Sequence, residues 1–248
     1  MPLRTALSTL ILTAGLALSA GDVRAQSADA LVPEGCSAIL TVQYKQCGVS
    51  LFWRCDGAPK GTTWEAFFDA EGLYSISLTD PGYQWIDLQS FADGSRETLQ
   101  DAPADRIDIR ALLETGSDSY AFAMRELSDA GSRTIRYAGH DALTDETRVI
   151  DGETLRVLEF DIRSESESGQ EIYRGEGIQF VLEDERLFLT GVETYHQDGD
   201  SLTDDYSPVE IIRPGASGFG ATTPIYECGE ILSGVTPDPA DPDRTGRA

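Results

Sequence analysis

His140 followed directly by Asp141 is the first place where residue types and spacing could do chemistry: an imidazole to accept a proton and a carboxylate to orient it. Such a pair also needs a nucleophile. Gly215-Ala216-Ser217-Gly218 offers a serine, but it follows Pro214 in a loop and lacks the G-x-S-x-G elbow that presents a catalytic serine. The second histidine, His196, borders an acidic stretch at residues 198–205. There Asp198, Asp200, Asp204 and Asp205 could gather oxygens around Ca²⁺, although their spacing departs from the D-x-D-x-D-G loop and a solvated turn accounts for them equally. Paired carboxylates of the glycosidase kind carry no signal, because a chain with 43 acidic residues offers pairs everywhere. The sequence therefore assigns no catalytic residue, no metal-ligand set and no cofactor.

Four cysteines, Cys36, Cys47, Cys55 and Cys228, are the remaining reactive groups. They contain no C-x-x-C pair, and two histidines are too few to complete a zinc site of the usual kind. In an exported chain an even number of cysteines implies two disulfides, with three pairings open. If residues 37–44 and 49–54 form a hairpin, Cys36 and Cys55 meet at its open end. Cys47, near its turn, is then left for Cys228.

Export itself is read from the first 25 residues. Arg4 precedes a run of apolar and small residues from Ala6 to Ala20, and Val23-Arg24-Ala25 has the small-residue spacing of a signal-peptidase site. The run is shorter than the roughly 20 apolar residues of a bilayer span, so a transmembrane anchor is not expected. Removing residues 1–25 takes away two arginines and one aspartate, leaving 17 basic and 42 acidic residues. A field of that sign repels nucleic acid and anionic headgroups, and it favours a soluble monomer. The expected location is the periplasm or the exterior.

The elements that must position these groups are almost all strands. Residues 119–214 run as strand after strand, separated by Asp129-Ala130-Gly131, Asp151-Gly152, Ser168-Gly169 and Asp198-Gly199, turns that supply positive φ. Tyr120, Phe122 and Met124 share one face; Leu158, Phe160 and Ile162 alternate with Glu159, Asp161 and Arg163. Residues 172–182 and 186–196 are long enough to wrap into a curved sheet, and Pro208 can start an edge strand. Before the meander, hairpins are expected at 64–68 with 73–79, and a strand from Tyr83 to Leu88. Aromatics are dense between Phe52 and Phe91, which reads as a core of large side chains ahead of a ligand-stacking surface. Ile107, Ile109, Leu112 and Leu113 before Gly116 fit one short helix or an irregular connection. The expectation is a single all-β domain over residues 26–232: one strongly curved antiparallel sheet or partial barrel, with a β-sandwich as the alternative. An acidic, proline-containing tail at 233–248 is expected to be disordered.

Phe52-Trp53-Arg54-Cys55, Arg148 to Gly152, Arg186 to Gly191, and Asp205 to Gly215 continuing to Phe219 resemble stretches of uncharacterised exported proteins of alphaproteobacteria. That resemblance implies no activity. In architecture alone, an exported antiparallel meander is similar to the half-barrel carriers of lipoproteins in the periplasm, from which this chain departs by its four cysteines and by lacking clear helices to plug a barrel. Fold likeness does not transfer function. The leading expectation is a non-enzymatic binding or accessory protein holding an apolar ligand or a partner chain on its curved sheet. A hydrolase using His140, or an envelope module binding another protein through a sheet edge, are the alternatives.

Overall fold

The computed structural model describes residues 31–101, 103–197 and 200–229. The expected signal peptide, the expected tail and the Asp198-Gly199 turn expected from the sequence lie outside them. Six strands come first: β1 (Cys36–Tyr44), β2 (Gly48–Cys55), β3 (Thr63–Asp69), β4 (Gly72–Thr79), β5 (Trp85–Ser90) and β6 (Arg96–Leu99). A short helix, α1 (Ile109–Thr115), leads into β7 (Ser117–Ser128), β8 (Gly131–Ile150), β9 (Glu153–Ser166), β10 (Glu171–Leu182), β11 (Leu187–Gln197), β12 (Asp200–Asp205) and β13 (Pro208–Ile212). All thirteen strands belong to one antiparallel sheet in which sequence neighbours pair, except that β13 returns to pair with β1.

The hairpin chemistry behaves as the Asp-Gly pattern predicts. Asp151 and Gly152 have φ of 49° and 83°, the two positive values of a tight hairpin turn. The Tyr83 expectation needs correction. Tyr83 has φ 74° and sits in a turn held by Asp80, whose Oδ1 accepts from the Gly82 and Gln84 amides at 2.8 and 3.0 Å. The strand therefore begins at Trp85. Two further strands, β6 and β12, have polar sequences without apolar alternation and were not expected; their existence rests on backbone pairing with neighbours.

The sheet is strongly curved. Val157 and Leu158 are adjacent on β9, beside a register shift against β8, and both are buried. Phe180, Val181 and Leu182, consecutive on β10, are buried as well. Leu158, Phe160, Ile162 and Val181 pack with α1 and with Tyr120, Phe122 and Met124 of β7. Leu155, Val157, Phe180, Leu182, Leu187 and Leu189 pack with Leu40, Val42, Tyr44 and Phe52 from β1 and β2, far away in the strand order. The sheet has rolled up until its distant strands cover one another.

The roll is not closed by a backbone ladder. Its edge strands, β12 and β13, are separated by only Tyr206 and Ser207, so the chain itself steps across the seam. Side chains hold the seam together. Arg54 reaches Glu185 at 2.9 Å; Arg213 reaches Glu185 at 2.5 Å and Glu153 at 2.8 Å; Lys45 reaches Asp205 at 2.6 Å. Outside the roll, residues 220–225 lie over Thr41 and Gln43, through bonds from the Gly220 amide to Thr41 Oγ1 and between Gln43 and the Thr223 and Ile225 backbone.

Disulfides join Cys36 to Cys55 across the open end of the first hairpin and Cys47 to Cys228, 181 residues apart. Among the described residues no helix is long and apolar enough to cross a membrane. Helix α1 is capped by the Asp108 side chain on the Arg110 amide and by Gly116 at φ 89°, whose amide returns to the Leu112 carbonyl at 2.8 Å. Ile109 and Leu112 are fully buried against the inner face of the sheet, so the roll does contain a helical plug, though only two turns long.

Candidate functional site

A cavity of about 480 Å³ remains inside the roll. Strand register explains which side chains reach it. Tyr120 pairs with Gly139, Gly139 with Ile162, and Ile162 with Gly175, so one row of the concave face alternates large residues with glycines. The adjacent row runs Asp118, Asp141, Phe160, Gly177, Glu193. A Cβ on Gly139 would lie 2.4 Å from the Tyr120 hydroxyl, and one on Gly175 would lie 2.1 Å from Glu193 Oε1. The glycines thus let neighbouring polar tips lean across the sheet instead of projecting side chains of their own.

Aromatic rings make up much of the wall. Trp85 meets Phe122 and Tyr137 edge-on at 5.5 Å each, Phe122 stacks on Tyr137 at 5.3 Å, and Tyr83 meets Phe188 edge-on at 4.6 Å. The Tyr83 hydroxyl donates to the Phe188 carbonyl at 3.0 Å, which fixes a residue whose backbone is already in a conformation that bulky side chains rarely adopt. The dense aromatics are therefore divided: Trp53 and Trp64 build a separate core on the outer side of β2 and β3, while Tyr83 and Trp85 face the cavity.

Carboxylates are the second component. Glu65, Glu97, Glu126, Asp141 and Glu193 all line the cavity, and Arg133 is the one cation among its lining residues. Arg133 is spent on Glu126, with two bonds of 2.8 Å, and lies half exposed where the cavity borders solvent. Glu97 accepts from the Tyr137 hydroxyl at 2.8 Å, Glu193 from the Tyr173 hydroxyl, and Glu65 from Ser50 Oγ at 2.5 Å. Burial raises Glu97 and Glu193 above the ordinary carboxylate range and pushes Glu65 up to about 7 against its Ser50 bond.

Asp141 differs from the other four. It is 5 % exposed, and its carboxylate makes no hydrogen bond or ion pair among the described residues. Burial, and then the charges of Asp118 and Asp161, push it up to about 7.

The structure separates the pair that the sequence brought forward. His140 is exposed, Asp141 is buried, and alternation along β8 sends them to opposite faces of the sheet. Among the described residues no hydrogen bond joins His140 to another side chain. His196 bonds Ser201 at 2.8 Å and stands 3.8 Å from Glu176. Ser217 is exposed in the loop after β13. Within the acidic stretch, Asp200 to Asp205 form strand β12, and Asp205 is occupied by Lys45 and Ser207. Among the described residues no three His, Cys, Asp or Glu side chains converge as a metal site. Sequence reasoning missed Glu65, Tyr83, Asp141 as an isolated acid, and Glu193. Their signal was parity along the strand: Asp141 alternates with Gly139 and Leu143, Glu65 with Phe67, and Glu193 with Tyr195.

No protein-family model, curated protein or solved structure matches the chain, so its function is argued from the geometry of this cavity.

Proposed function

We propose that this is a binding protein of an exported compartment, periplasmic or secreted, which holds one small, largely apolar ligand inside its rolled sheet. The observation that supports the reading is the cavity itself: about 480 Å³, walled by aromatic rings and reached from solvent beside Arg133. Its size falls within the roughly 300–1,000 Å³ of small-molecule sites. The rest of the concave side is filled by α1 and the two apolar clusters, so a long partner segment has no room there. A hydrolytic reading has less support, because His140 faces solvent on the opposite side of the sheet from the cavity. Native mass spectrometry of the purified mature chain, followed by solvent extraction, tests the proposal. The expected result is a bound species of small-molecule mass released on denaturation. A chain that carries nothing, and whose Trp85 emission is unchanged by any amphiphile, overturns it.

A further inference from the structure

A cavity built only to hold an apolar body would be lined by apolar groups, since every buried carboxylate costs free energy unless something compensates it. Here the imbalance is one-sided. Glu65, Glu97, Asp141 and Glu193 face the interior, and the only lining cation, Arg133, is already paired with Glu126. Asp141 is the decisive member: only 5 % exposed, lining the cavity, and without a hydrogen-bond donor among the described residues. The other acids are held in position by hydroxyl donors from Ser50, Tyr137 and Tyr173, so they keep fixed directions. Around them stand the rings of Trp85, Tyr120, Tyr137 and Phe188, whose faces attract an organic cation through the ring quadrupole.

Resting on the reading of the cavity as a ligand site, we propose that its ligand is an organic cation: an apolar body carrying a protonated amine or quaternary ammonium that is received beside Asp141. A bare metal ion fits the arrangement poorly, because the acids are spread along the cavity rather than gathered, and no three converge. An acidic or phosphorylated ligand meets like charge on several sides. A cation with an apolar tail satisfies both components of the wall at once, supplying the charge that Asp141 lacks and covering the rings.

The test uses the mature full chain with its disulfides intact, followed by tryptophan fluorescence and calorimetry, in about 0.5 M salt so that the general negative field of the chain is screened. Three probes share one tail and differ in the head: decyltrimethylammonium, decanol and decanoate. The expected result is that the ammonium binds at least about 10-fold more tightly than decanol and that decanoate binds more weakly than either. Asp141→Asn should erase most of the ammonium's advantage while leaving decanol binding unchanged. If that variant does not fold, Glu193→Gln should reduce the same preference in part. Equal binding of all three probes overturns the cationic assignment while leaving a ligand-holding cavity intact. Binding of none of them overturns the cavity reading itself and the assignment with it. An ammonium preference that survives both substitutions also overturns the role given to Asp141.

Discussion

Arg213, at the end of edge strand β13, reaches Glu185 in the β10–β11 turn at 2.5 Å, joining two parts of the sheet that share no backbone ladder. Arg54 reaches the same carboxylate from β2 at 2.9 Å and also donates to the Glu185 carbonyl at 2.7 Å, so one acid receives two guanidinium groups. These side chains are less than one third exposed, which sets them apart from ordinary surface pairs. Glu185→Gln should lower unfolding free energy by about 1–3 kcal/mol in urea titration. Breaking the Arg96–Asp87 pair, whose arginine is mostly exposed, should leave the same titration almost unchanged.

The two disulfides should differ in worth. Cys36–Cys55 closes a short hairpin, while Cys47–Cys228 closes a loop of 181 residues and pins the 220–225 segment onto β1. The double variant Cys47→Ser with Cys228→Ser should lose up to about 5 kcal/mol in the chain-entropy picture. Limited proteolysis should then cut first between Pro214 and Cys228, and thermal unfolding should occur at lower temperature than for the Cys36–Cys55 double variant.

Protonation of the interior gives a dependence opposite in sign to that of salt-bridged acids. Asp141, facing Asp118, Asp161 and Tyr120, and Glu65, facing Ser50, Tyr44 and Tyr83, both sit at about 7 in the folded chain. The unfolded values are near 4, so the folded state holds more protons between about pH 4 and 7. The stability they contribute is full below the unfolded value and is lost as pH rises through 7. Unfolding free energy should therefore fall between pH 5 and 8, by up to on the order of 3 kcal/mol for Asp141 alone. Asp141→Asn should flatten that slope. Asp108 and Glu153, held low by Arg110 and Arg213, titrate below this window and do not obscure it.

Close approach of backbones at the β10–β11 bulge makes two glycines irreplaceable. A Cβ on Gly177 would stand 2.0 Å from the Val192 carbonyl oxygen, and one on Gly191 would stand 2.3 Å from that of Ile178. Alanine at either position should destabilise by about 2–4 kcal/mol, since a carbonyl rather than a side-chain end must move. Gly57→Ala, in open space at a turn, should be neutral within about 0.5 kcal/mol in the same denaturation experiment.

Much of the fold was legible because its signals are local. Asp151-Gly152 marks a hairpin by the positive φ it permits, and Tyr120, Phe122 and Met124 announce a buried face by alternation. The single curved antiparallel sheet with one short helix follows from such signals. What was illegible depends on partners distant in the chain. β12 reads as an acidic loop, because nothing in residues 200–205 shows that β11 will pair with it. Tyr83 reads as the start of a strand, because its aromatic neighbours are strand-like and the Asp80 cap is invisible without geometry. The candidate site was hidden for a related reason. Asp141 looks like the helper of His140 in sequence, yet alternation along β8 gives each residue a different side of the sheet, and only the roll makes one side an interior.

The pairing of β1 with β13 also governs how this chain must be made. Residues 41–44 await residues 208–212 as their edge partner, so β1, early in the chain, is among the last strands to be completed. Until then the open edge of β1, carrying the apolar Leu40, Val42 and Tyr44, is a template for any other extended chain nearby. A holding factor that shields nascent strands, or rapid formation of the β1–β2 hairpin with its Cys36–Cys55 bond, would decide yield more than final stability does. A chain truncated before Pro208 should accumulate as aggregate even though nearly all of its strands are present.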